Sequence, residues 1–294
     1  MHKFLRAIGF SEIKTREQLK KIIDKTIEQS TESAFAVWEE DDILYGDYSF
    51  EFAENMGLTV CGQYDAMDEF HVDYVYPYMV ASQISSNEKS VVDRHAANVS
   101  FAGVCEDNKI GISIIYYLQN RIDYIKRSGE GSKALEDVPV CLSGLSDSAM
   151  IMMPLAKDEL SKKKVSRSNK KRDKLIEAAR QGSEEAIESL TLDDIDVYST
   201  ISRKIKETDV YTIVDTYFMP YGIECDQYSV LAEISELKTV VNSLTGEEVY
   251  QMLLVCNGIS IDVCINKKDL FGEPEVGRRF KGTVWLQGWL DWLS

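Results

Sequence analysis

The 294-residue chain carries 33 basic and 49 acidic side chains, a formal net charge of −16, and a field of that sign repels phosphate backbones and anionic membrane surfaces. Hydrophobic residues at 44% and aromatics at 10% exclude wholesale disorder, and the length suits two cores better than one. Six cysteines without a C-x-x-C pair, beside three histidines, exclude a spaced metal-ligand motif, and with no secretory-type leader or long apolar run the expectation is a cytoplasmic protein with reduced thiols.

Thr15-Arg16-Glu17-Gln18 has the form of a capping box ahead of Leu19, Ile22, Ile23 and Ile27, which predicts a helix over Thr15 to Gln29. The period then changes to two. Phe35 to Trp38 and Tyr48 to Phe52 read as strands joined by a turn at Tyr45-Gly46-Asp47, and Leu58 to Cys61 and Phe70 to Tyr78 continue the series. In the last of these, Phe70, Val72, Tyr74, Tyr76 and Tyr78 are expected on one face and His71, Asp73 and Val75 on the other, with Pro77 marking an edge strand. Val99 to Cys105 and Ile110 to Tyr116 flank a polar Glu106 to Lys109 turn, the pattern of an antiparallel hairpin. A helix over Tyr117 to Arg127, a Gly129 to Ser132 loop and two short strands, Val138 to Leu142 and Ala149 to Met153, complete the first unit.

Lys157 to Lys174 is a basic stretch in an otherwise acidic chain. It reads as a solvated linker, with a docking patch for an acidic partner or nucleic acid as the alternative. Leu175 to Gln181, stopped by Gly182, and the segments opening at Ser183 and Thr191 predict a helical hairpin. Val210 to Phe218 fits a strand or a short helix, ended by Pro220-Tyr221-Gly222.

The remaining segment is the most legible. Tyr228 to Ile234, a turn at Thr245-Gly246, and alternating runs on both sides of Asn257-Gly258 lead to a long strand, Arg279 to Gly288. Asn-Gly suits a type I′ turn, and Gly282 and Gly288 sit where barrel strands bend. Four or five such strands predict a small OB-like β-barrel. The fold class expected is therefore α+β: residues 1–156 as an antiparallel sheet with helices, 157–172 as the basic linker, and 173–294 as a helical hairpin plus barrel.

Met219 to Tyr228 (MPYGIECDQY), Phe271 to Gly288 and the opening His2 to Phe10 resemble an uncharacterised family of clostridial Gram-positive bacteria along nearly the whole chain. Such a family has no established activity, so the resemblance implies no catalytic residues.

Several constellations offer chemistry. His71 with Asp73, near Asp47 and Asp65, could act as an acid/base pair, and His95 lies beside Asp93-Arg94; the alternative places His71 on a solvent face and His95 in a loop. Glu39, Glu40, Asp41 and Asp42, or Asp65, Asp68 and Glu69, could gather on a hard divalent cation but lack calcium-loop spacing and read as solvated turns. Glu224 and Asp226 fit a turn-fixing role, and Cys141 and Cys225 fit packing better than nucleophilic work. Trp285, Trp289 and Trp292 with Tyr228 and Phe280 form the aromatic concentration of the chain. Trp285 or Leu286 suits the core, Trp289 and Trp292 suit a cap, and an exposed pair beside Arg278 and Arg279 would make a binding surface. Three functions stay open: a non-enzymatic protein that binds another protein or a small ligand; an acid/base or metal-assisted hydrolase in the first unit; and single-stranded nucleic-acid binding by the barrel through Arg278, Arg279 and Lys281. No cofactor and no membrane contact are expected, and nucleic acid is an unfavoured partner.

Overall fold

The computed structural model describes residues 2–38, 42–94, 100–107, 110–128, 138–155, 174–175, 178–179, 182–189, 211 and 214–292. The chain opens with a 3₁₀ segment, Lys3–Ile8, closed by Gly9 in the left-handed region at φ 87°. Helix α1 (Arg16–Glu28) follows with the expected capping box: the Gln18 amide donates to Thr15 Oγ1 at 3.2 Å and the Thr15 amide to Gln18 Oε1 at 3.0 Å.

Strands β1 (Glu32–Trp38), β2 (Ile43–Ala53), β3 (Met56–Tyr64) and β4 (Phe70–Met79) form a four-stranded antiparallel sheet in sequence order. The expected turn at Tyr45-Gly46-Asp47 is instead the interior of β2, where Gly46 pairs with Phe35 and Asp47 with Ala34. A Cβ at Gly46 would meet the Phe35 ring at 3.1 Å, so this glycine admits a crossing aromatic side chain rather than turning the chain. Pro77 lies on β4, the edge strand, as expected.

A three-stranded meander, β5 (Ser90–Arg94), β6 (Phe101–Asp107) and β7 (Ile112–Leu118), precedes α2 (Arg121–Ser128). The helix starts four residues later than expected because Tyr117 and Leu118 continue β7 and pair with Gln287 and Gly288. Ser86 and Val140 form an isolated bridge, and β8 (Val140–Met152) is one 13-residue strand where two short ones were expected. The remaining strands are β9 (Tyr217–Pro220), β10 (Gln227–Val241), β11 (Glu248–Cys256), β12 (Ile259–Asn266), β13 (Leu270–Phe271) and β14 (Arg279–Leu290). Asn257 and Gly258 have φ of 51° and 84°, the positive values a type I′ hairpin requires.

The ring β8-β12-β11-β10-β14 closes a five-stranded barrel, because β14 pairs antiparallel with β8 along Arg279 to Leu290 while β12 pairs parallel with β8 from Asp262 to Ile265. The barrel expected from the last third is present, but β8 closes it, and that strand precedes the basic stretch. A barrel lacking it would leave two unpaired edges.

The α+β expectation is overturned. Fourteen strands dominate the described residues, and the expected C-terminal helical hairpin is not found among them: only 174–175, 178–179 and 184–189 are helical there. Gly182, at φ 88°, does close the piece at 178–179, with the Gly182 and Ser183 amides donating to the Ala179 and Ala178 carbonyls. The basic linker 157–172, the segment from Thr191 to Lys206, the Gly129 to Ser132 loop, His95 and Glu39 to Asp41 lie outside the described residues. A reason for the excess of strand is visible in β8, where the polar positions Ser143 and Ser146 look like strand ends in sequence yet are fully buried inside one long barrel strand.

Two cores result. One fills the barrel and runs under the β5–β7 meander, with Val230, Leu254, Ile261, Val263, Phe280 and Leu286 at its centre. The other joins the four-stranded sheet to the outside of the barrel through Phe4, Ile8, Phe52, Leu58, Cys264 and Trp285. Among the described residues no helix is long and apolar enough to cross a membrane.

Candidate functional site

Period-two alternation puts Asp47, Ser49 and Glu51 on one face of β2, and the strand register extends each across the sheet. Glu32, Ser49, Thr59 and Tyr76 form one cross-strand row; Ala34, Asp47, Cys61 and Tyr74 form the next; Glu51, Gly57 and Tyr78 form a third. Gly57 is needed there, since a Cβ would stand 2.6 Å from the Tyr78 hydroxyl. This face, the start of α2 and the end of β14 enclose a cleft of about 330 Å³. Its rim and floor include Glu32, Asp47, Glu51, Tyr78, Asp123 and Trp289.

Arg121 anchors the floor. Its side chain is 1% exposed, with Nε donating to both Asp47 oxygens at 2.9 and 3.1 Å and Nη2 to Oδ1 at 2.6 Å. The guanidinium lies 5.4 Å from the Tyr74 ring centre and 5.8 Å from that of Tyr45, so aromatic faces supply part of the stabilisation that water would give. Burial, reinforced by Asp47, pushes the Cys61 thiol well up, which keeps it protonated and inert.

A buried polar network carries the cleft wall onto the barrel. Gln119 Nε2 donates to the Met79 carbonyl at 2.9 Å and to Gln287 Oε1 at 2.8 Å, and Gln287 Nε2 donates to the Pro77 carbonyl at 2.8 Å. The Tyr76 hydroxyl donates to the Gln119 carbonyl at 3.0 Å, and Asn120 Nδ2 donates to the Leu290 carbonyl at 2.9 Å. Trp289 is thus held at a fixed position against the sheet.

The sequence-derived candidates separate. Asp47 and Trp289 come together in the cleft. His71 and Asp73 are exposed and do not line the cleft. Asp73 is the extra residue of a β-bulge, since Gly62 pairs with Val72 and Cys61 with Tyr74. The bulge also undoes the expected facing, because Val72 pairs with Gly62 and not with a residue of the Tyr74 face. Burial raises the Asp73 carboxyl, opposed by the positive charges of Arg121 and His71.

His71 Nε2 meets Asp65 Oδ2 at 2.8 Å, both residues being exposed. With Glu69 they form a trio whose ligand atoms lie within 4.8 Å of one another. That trio could hold a divalent cation, though Asp65 Oδ1 already accepts the amides of Met67 and Glu69.

Arg279 is buried, donating to the carbonyls of Met153, Tyr211 and Val214 at 3.0 Å each. Arg278 pairs with Glu275 at 2.8 Å and donates to the Glu273 carbonyl, and Lys281 stands 4.0 Å over the Tyr211 ring. These three cations are therefore engaged within the chain. Trp292 packs on the core with Arg127 5.1 Å over its ring, and Trp285 is buried, donating to Asp226 Oδ2 at 2.7 Å. Glu224 lends its carbonyl to the Gln227 amide in the turn before β10.

Residues of the cleft missed in the sequence are Glu32, Glu51, Tyr78, Asp123 and Arg121. The period-two run Asp47, Ser49, Glu51 was a usable signal for the face, whereas Arg121 inside a predicted helix carried none.

No curated protein and no solved structure matches the chain. A family model matches residues 5–288, nearly the whole length, and its description reads as a domain of unknown function from an E. rectale gene. The chain accordingly belongs to the DUF3881 family, an uncharacterised family of unknown function.

Proposed function

We propose that the protein works by binding a small ligand in the cleft between the four-stranded sheet and the end of the barrel. The observation that carries this reading is the assembly of that cleft from three strand rows, α2 and Trp289 on a rigid base. The base is the buried Arg121–Asp47 pair and the Gln119–Gln287 network. A volume of about 330 Å³ lies at the small end of the usual range, roughly 300 to 1,000 Å³. The mix of carboxylates, hydroxyls and one half-buried indole is the lining expected of a site that orients a compact ligand. An acid/base reading centred on His71 loses support because that imidazole is exposed near the start of β4, outside the cleft.

The test is a fragment library screened by ligand-observed NMR against the wild-type chain and Trp289→Ala. Hits weakened at least tenfold by the substitution are expected. A screen in which no hit responds to Trp289→Ala overturns the reading.

A further inference from the structure

Building on the proposed cleft, we infer that its ligand is a small organic cation, an ammonium group carried on a compact apolar body. Three observations converge. Glu32, Glu51 and Asp123 line the cleft, and among the described residues none has an ion-pair partner; Asp47 is the acid there whose charge is matched, by Arg121. No lysine or arginine is among the lining residues. Three carboxylates that line one cleft without a counter-charge give it a negative field, which a bound cation offsets.

Tyr78 is the second observation. It is 8% exposed and lines the cleft, and no hydrogen bond of its hydroxyl is found among the described residues. The ring is packed away while the hydroxyl opens onto the cleft, where an ammonium N–H can donate to its oxygen. Its surroundings are negative: burial raises the Tyr78 hydroxyl first, and Glu51 and Glu32 add to the rise.

Trp289 is the third. It stands half-buried at the mouth, where the face of an indole attracts a cation and its body accepts an apolar group. Aromatic and carboxylate elements together select an organic ammonium over a bare metal ion, which has no apolar body to set against the indole, and over a neutral polyol, which gains nothing from three charges.

The same ammonium chemistry could come from a free amine or from a lysine side chain on a peptide, and the cleft volume favours the free amine. The experiment measures binding of phenethylamine, 2-phenylethanol, phenylacetate and an acetyl-lysyl-glycine-amide peptide to the full chain by calorimetry at low salt. The variants are Asp123→Asn, Glu51→Gln, Trp289→Ala and, as a charge control on α1, Glu17→Gln. The expected result has four parts. Phenethylamine binds at least tenfold tighter than 2-phenylethanol, phenylacetate does not bind, Asp123→Asn and Glu51→Gln each weaken the amine three- to tenfold, and Glu17→Gln leaves it unchanged. Glu51 is exposed, so its variant remains informative if Asp123→Asn fails to fold.

Equal binding of amine and alcohol, both lost in Trp289→Ala, overturns the cation inference while leaving the cleft as a ligand site. Loss of amine binding in Glu17→Gln to the same extent as in Glu51→Gln overturns it as general charge attraction. Tighter binding of the lysyl peptide than of the amine overturns the free-ligand assignment. No probe responding to Trp289→Ala removes both readings together.

Discussion

Arg121 on α2 and Asp47 in the middle of β2 form a buried ion pair, with three N–H···O contacts between 2.6 and 3.1 Å and side-chain exposures of 1% and 9%. The pair fixes the helix to the sheet at the floor of the cleft. Arg121→Met should cost about 3 to 5 kcal/mol, because it leaves a carboxylate buried without its partner. Asp47→Leu combined with Arg121→Met should cost clearly less than the single change, since no orphaned charge remains. Urea unfolding midpoints of the two variants decide this; equal losses would show that packing, not charge, sets the cost.

The glutamine network makes a parallel claim about neutral groups. Gln287→Leu removes a hydrogen-bond partner from the Met79 amide, the Pro77 carbonyl and the Gln119 amide, which keeps its bond to the Met79 carbonyl, and each buried group left unsatisfied costs about 1 to 3 kcal/mol. Hydrogen exchange should rise first in β4 next to Met79 and at the start of α2, where the network ends.

Tyr116 on β7 crosses two glycines. A Cβ on Gly288 would stand 2.2 Å from its ring and one on Gly103 2.0 Å from it. Gly288→Ala is therefore expected to destabilise by about 1 to 3 kcal/mol through overpacking. In a double-mutant cycle with Tyr116→Leu the cost of Gly288→Ala should shrink, because the ring that causes the clash is gone. Additive costs would mean that β14 bends at Gly288 for another reason.

The exposed pair His71–Asp65 gives a pH prediction. Its hydrogen bond to Asp65 raises His71 above the ordinary imidazole value, and hydrogen bonds from the Glu69 amide, His71 and the Met67 amide lower Asp65. The histidine's contribution is full below about pH 6.5 and disappears as pH rises through its raised value. That of Asp65 is present above the ordinary carboxylate range and disappears as pH falls through its lowered value. An NMR titration should place His71 above about 6.5, and Asp65→Asn should return it there. An unshifted His71 would mean that the turn does not hold the pair together.

Local chemistry made much of this protein legible. The Thr15 capping box fixed α1 because its two hydrogen bonds involve residues three apart. Asn257-Gly258 fixed a hairpin because only a few residue types accept two positive φ values. The edge placement of β4 followed from Pro77, and the barrel itself from alternation and glycines in the last third.

Other features depended on partners distant in sequence. Gly46 reads as a turn until Phe35 is seen lying across it. Asp73 reads as a face residue until the bulge against Gly62 and Cys61 is seen. Arg279 reads as a surface cation until three carbonyls claim it. The candidate site belongs to this second kind: Asp47 and Trp289 are 242 positions apart by number, and no local signal joins them.

The sequence by itself determined the Asn257-Gly258 hairpin turn, the helix cap and the strand-rich end, since these depend on backbone preferences of adjacent residues. Only the tertiary structure decided that β8 closes the barrel and that the β2 face, α2 and Trp289 enclose one cleft. Ring closure and cleft geometry depend on strand register and on a buried ion pair, and both join residues that the chain's order keeps apart.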